Sequence, residues 1–138
     1  MRFTIFCIFI LVATHVMAEN DITYEHSGTV GTSVTATSQE GFNCAKAAGK
    51  VYLLSELPVF FSAEFGKAGL LRKEHSGKYK LALVIDENSD IIGYQVAENT
   101  DKNSLLVKTI LNLGSLPPLS SSNSCVAGKP FIFEFTIT

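Results

Sequence analysis

The chain has no tryptophan, four prolines and three cysteines, and only 17% of its 138 residues are charged. Each scarcity removes a class of protein. So little charge beside 46% hydrophobic residues excludes a solvated, disordered chain. Eleven basic residues against 13 acids give a net charge of −2, with no basic stripe, so a nucleic-acid partner is not expected. The densest basic points, Arg72 with Lys73 and Lys78 with Lys80, flank a turn and read as solvated side chains. The cysteines form neither a Cys-x-x-Cys motif nor a Cys/His cluster, which speaks against structural zinc. Asp86 and Asp90 lack the further acidic ligands and closing glutamate of a calcium loop. No metal or cofactor is expected.

One long apolar run is present, and it stands at the start. Met1 and Arg2 form a short positive region, residues 3–13 are almost wholly apolar, and Val16 and Ala18 provide small residues where signal peptidase reads them. Residues 1–18 are expected to be a cleaved secretory signal, because the run is shorter than the roughly 20 residues that span a bilayer. No membrane insertion is expected after cleavage. The thiol Cys7 would leave with this segment, and it lacks the Leu-x-x-Cys setting of a lipoprotein. Cys44 and Cys125 then remain, and in an oxidising compartment they are expected to bond to each other, the alternative being two buried or intermolecular thiols.

The mature chain suits one small domain. Residues 19–40 form a Thr-, Ser- and Gly-rich arm with weak alternation, either a lone edge strand or a loosely held arm. Residues 41–49 open the compact part, residues 41–138, as a helical turn closed by Gly49; residues 50–55 read as a short strand or extended connection. Between 59 and 73 apolar residues recur at helical spacing, weakened by Gly66 and Gly69. The remainder is clearer. Tyr79, Leu81, Leu83 and Ile85 share one strand face, a polar turn spans 86–90, and Ile92, Tyr94 and Val96 share a face of the next strand. N-cap candidates at 99–102 precede a helix lined by Leu106, Ile110 and Leu113, and Gly114 can end it. Phe131, Phe133, Phe135 and Ile137 alternate with Ile132, Glu134 and Thr136 in a last strand. Hairpin and helix each have one apolar face, so they should pack into a two-layer α+β core, strand-strand-helix-strand with a preceding helix.

Catalytic groups are sparse. His26 lies in the polar arm and His75 in a turn, neither in a recognised nucleophile setting, and the run of serines around Asn123 reads as a loop. No catalytic residue is assigned, and the chain is not expected to be an enzyme.

Leu70-Leu71-Arg72-Lys73, Gly77, the 86–90 turn, Ile91-Ile92-Gly93, residues 105–110, Leu116-Pro117-Pro118-Leu119 and the last strand occur in the order found in the C-terminal domain shared by TonB and TolA. About two thirds of the mature chain resembles that domain. The resemblance implies a periplasmic, non-catalytic module of Gram-negative bacteria. It further implies a partner that is a periplasmic or outer-membrane protein, such as a receptor, Tol-system protein, colicin or phage protein. The chain departs from the family in having Leu11, not serine, four residues before His15, and no long spacer, which argues against energy transduction. The family's own disulfide positions do not match Cys44 and Cys125.

In that family the last strand lies beside the first and at the sheet edge. The implied binding strand is therefore Phe131, Ile132, Phe133, Glu134, Phe135, Thr136 and Ile137, with Lys129 and Glu134 setting charge preference for an added peptide strand. The competing arrangement covers this strand with the Thr/Ser-rich arm. A free edge can also pair with its own copy, so the sequence admits a homodimer. The alternative function is a secreted inhibitor or immunity-type protein that blocks a hydrolase or toxin with a disulfide-held loop; Phe42-Asn43-Cys44-Ala45-Lys46-Ala47 faintly echoes certain periplasmic lysozyme inhibitors.

Overall fold

A computed structural model describes residues 30–138 together with the backbone of residues 21–25. The expected signal segment, residues 1–18, lies outside the described residues. Five antiparallel strands form one sheet in the order β1-β2-β5-β3-β4, where β1 is Asp21–Glu25, β2 Val30–Ala36, β3 Gly77–Ile85, β4 Ile91–Val96 and β5 Phe131–Ile137. Helices α1 (Gln39–Lys46), α2 (Leu57–Lys67) and α3 (Leu105–Leu113) belong to the second layer of this small α+β domain. Among the described residues no helix is long and apolar enough to cross a membrane.

The period-2 pattern of β5 works as its alternation demands. Phe131, Phe133, Phe135 and Ile137 enter the main core, whereas Glu134 and Thr136 are half-buried on the other face and Ile132 joins Ala82 there in a separate small cluster. On the core side Phe61 and Phe65 of α2 meet Phe135 edge-on, each at 5.1 Å between ring centres, and Phe61 meets Phe133 at 5.8 Å. Such pairs contribute about 0.5–1.5 kcal/mol each beyond area burial.

The Thr-rich stretch is a full member of this sheet. Every residue of β2 registers with β5, from Val30 opposite Ile137 to Ala36 opposite Phe131, and Val30, Thr32, Val34 and Ala36 are buried. Its alternation looks weak because threonine stands where an aliphatic residue usually would, yet threonine suits a pleated surface. β2 is not an edge strand, because β1 pairs along its outer side.

Residues 50–55 are helical, not extended. A π turn spans Tyr52–Glu56, with Leu57 N–H donating to the Tyr52 carbonyl, and leads directly into α2. Pro58, just past the wide turn, has no N–H to continue the ordinary i→i−4 ladder, which accounts for the disturbance at this point. In α1 the Ser38 hydroxyl accepts from Gly41 N–H at 3.0 Å, an N-cap that lengthens the expected helical turn. Gly114 closes α3 with φ 73°, as expected, but the N-cap is Ser104, not one of residues 99–102. Thr100 instead accepts the Lys80 N–H at 2.9 Å and pins the preceding loop to β3.

Cys44 and Cys125 are bonded, with 2.09 Å between sulfurs and 5.9 Å between Cα atoms. The bridge joins α1 to the 3₁₀ segment Ser121–Val126, just before β5. Closing a loop of 81 residues contributes roughly 3–5 kcal/mol in the chain-entropy picture. Such bonds persist in oxidising compartments.

Candidate functional site

The strand expected at the edge is central. β5 pairs with β2 on one side and with β3 on the other, with Thr136 registered between Gly31 and Lys78 and Glu134 between Ser33 and Lys80. Both rows of its backbone groups are used, so Phe131, Ile132, Phe133, Glu134, Phe135, Thr136 and Ile137 offer no place for an added strand. The physical reason is that β2 has core-facing residues of its own to bury and does so beside β5. Lys129 is also engaged locally, its Nζ donating to the Cys125 carbonyl at 2.7 Å.

The other side of the same strand-strand-helix-strand unit ends at β4, and among the described strands nothing pairs beyond it. Its register with β3 runs from Leu81 opposite Val96 to Val84 opposite Gly93, then shifts so that Ile85 meets Ile91. This bulge overturns the simple alternation expected for the strand: Ile91, Tyr94 and Val96 pack on the core, while Ile92 is extruded and 51% exposed. Bulges bend and twist an edge and are common where a sheet stops.

The direction of the backbone follows from one hydrogen bond. Ala97 N–H donates to the Lys80 carbonyl at 3.0 Å, so by antiparallel alternation Gln95 and Gly93 also point toward β3, and Val96 turns its N–H and C=O away. The Gln95 Nε2 reaches round to the Val96 carbonyl at 3.4 Å. At that length the side-chain amide is a weak substitute for the N–H of a neighbouring strand.

Both ends of this slot are built. At its start Ile91 N–H donates to the Gly114 carbonyl at 2.8 Å and Leu116 N–H to the Ser89 carbonyl at 2.8 Å, closing a short bridge between Asp90 and Ser115. Ser89 takes φ 69° in the turn, and its hydroxyl accepts from Leu119 N–H at 3.0 Å, which holds the Pro-Pro loop against the hairpin. At its far end a cleft of about 440 Å³ opens between residues 94–98 and the loop carrying Thr100, Lys102 and Asn103. Between them lies a short, uncharged segment, Ile92 to Val96, bearing an exposed isoleucine. This arrangement suits main-chain recognition of an extended segment.

Sequence reasoning overlooked β4 as the outermost strand on this side because the family resemblance placed the edge at β5. A signal was nonetheless present: β4 contains neither proline nor charge, the residues with which exposed edges are usually blunted. Among the described residues no group of three or more His, Cys, Asp or Glu is placed to hold a metal. His75 Nε2 lies 3.8 Å from Glu74 Oε2 in the turn before β3. No protein-family model, curated protein or solved structure matches the chain.

Proposed function

We propose that the chain is a non-enzymatic periplasmic binding module, similar in kind to the TonB and TolA C-terminal domains, that recognises an envelope protein by accepting one of its segments as an added strand on β4. The observation that carries the reading is that no described strand pairs beyond β4, where Val96 directs its backbone outward and, among the described residues, its carbonyl meets a long Gln95 side-chain contact. The order β5-β3-β4, with α3 between β4 and β5 in sequence, supports the kinship in architecture. The Cys44–Cys125 bond supports export to an oxidising compartment.

An inhibitor would be expected to work through its disulfide-held loop, where Ser120, Ser121, Ser122 and Ser124 are exposed beside Cys125. The two surfaces can be set against each other directly. A photo-cross-linking amino acid placed at position 92, and separately at position 122, should be activated in a Gram-negative envelope extract and the adducts identified by mass. An envelope protein joined through position 92 is the expected result. Adducts formed through position 122 alone, with a hydrolase or toxin, would replace this reading with the inhibitor.

A further inference from the structure

The charges around β4 define the chemistry of its occupant. The strand itself is neutral, but the two turns that bracket it carry Asp86, Glu87, Asp90, Glu98 and Asp101 against a single amine, Lys102. Asp86 is partly spent on the turn, accepting from Asn88 and Asp90 N–H, and Asp90 accepts from the Ser115 hydroxyl at 2.5 Å. Glu87 and Glu98 are exposed. The nearest cation on the adjoining strand is Lys80, opposite Ala97 in the ladder and half-buried on the sheet face away from the helices.

A second copy of the chain is poorly suited to this edge. In a two-fold antiparallel pairing centred on Tyr94, Asp90 of each copy would face Glu98 of the other, so two acid-acid encounters would flank a junction of only a few residues. An approaching segment with basic ends meets attraction at both turns. An apolar side chain in its centre would lie beside exposed Ile92, and the cleft next to Val96, lined by Gln95, Thr100 and Asn103, would take a polar one.

We infer that the partner of β4 is an extended segment with an apolar residue to meet Ile92 and lysine or arginine on its flanks. This inference rests on the edge reading above and adds the charge of the partner to it. Because the turns are solvent-exposed, the electrostatic part should weaken at high salt.

The test uses random displayed peptides of about ten residues, long enough to overrun a strand of this length, selected on the intact disulfide-bonded protein. Val96→Pro removes an outward N–H without touching the bonds to β3 and reports on the edge. The double variant Glu87→Lys with Glu98→Lys changes two exposed loop residues and reports on charge. The expected peptides carry basic flanks, lose about tenfold or more in affinity to Val96→Pro, and lose several-fold to the charge reversal. Peptides that need the edge but have neutral or acidic flanks, or that ignore the charge reversal, would overturn the charge inference and leave the edge reading standing. Peptides indifferent to Val96→Pro, or no enriched peptide at all, would overturn both. Should Val96→Pro fail to fold, competition of the selected peptides against cross-linking from position 92 supplies the same discrimination.

Discussion

Gly49 lies against the Cys44 sulfur: a Cβ added to Gly49 would stand 2.7 Å from Cys44 Sγ and 3.0 Å from Val126 Cγ2. Its N–H donates to the Cys44 carbonyl at 2.7 Å, so the residue seals the end of α1 and leaves room for the bridge. Gly49→Ala should therefore lower stability by about 1–3 kcal/mol through overpacking. Chemical denaturation of the oxidised protein checks this, and a smaller loss in the Cys44→Ala background would trace the effect to the sulfur.

The bridge itself gives a simple chemical expectation. Thiol titration of the denatured, unreduced mature protein should find essentially no free thiol from Cys44 and Cys125. Two reactive thiols per chain would contradict the bonded pair.

Tyr52 is fully buried, and its hydroxyl donates to the Pro117 carbonyl at 2.6 Å, joining the π turn to the loop after α3. Burial pushes this phenol from 10.0 up to about 12, against the opposing effect of the Ser89 hydrogen bond and with a small upward contribution from Glu56. The folded protein thus holds the proton more tightly than the unfolded chain. Stability from this group is complete below pH 10 and should decline as pH rises from 10 toward 12. Ultraviolet titration should show a late tyrosine ionisation, and Tyr52→Phe should abolish that late step.

Thr32 faces the core opposite Phe135, and its hydroxyl is buried without a hydrogen-bond partner among the described residues. Valine has nearly the same shape and no polar atom to desolvate. Thr32→Val should raise stability by about 1 kcal/mol, measured as a later denaturation midpoint with unchanged slope. A loss of stability would mean that the hydroxyl has a partner.

Local chemistry was readable from the residues, and long-range pairing was not. The facing of Phe131, Phe133, Phe135 and Ile137 follows from alternation alone, and Gly114 marks the end of α3 because that position needs a left-handed backbone. The place of β5 in the sheet depends on a strand about 100 residues earlier whose threonines mute its pattern. The helical state of residues 50–55 was hidden by β-branched and aromatic residues, Val51 and Tyr52, whose intrinsic preference is overridden by burial of Tyr52 and Leu53. The bulge that exposes Ile92 leaves no mark in a run of alternating residues, and with it the character of β4 stayed out of sight.

The edge reading turns on a single backbone group. Amide hydrogen exchange at Val96, compared in the free protein and with a saturating peptide selected on it, measures the group that an added strand would bond. Binding at β4 predicts that Val96 exchanges readily in the free protein and slows by about tenfold or more in the complex, while the already paired amides of β5 change little. An unchanged Val96 rate in a saturated complex would show that the partner binds elsewhere and would contradict strand addition at this edge.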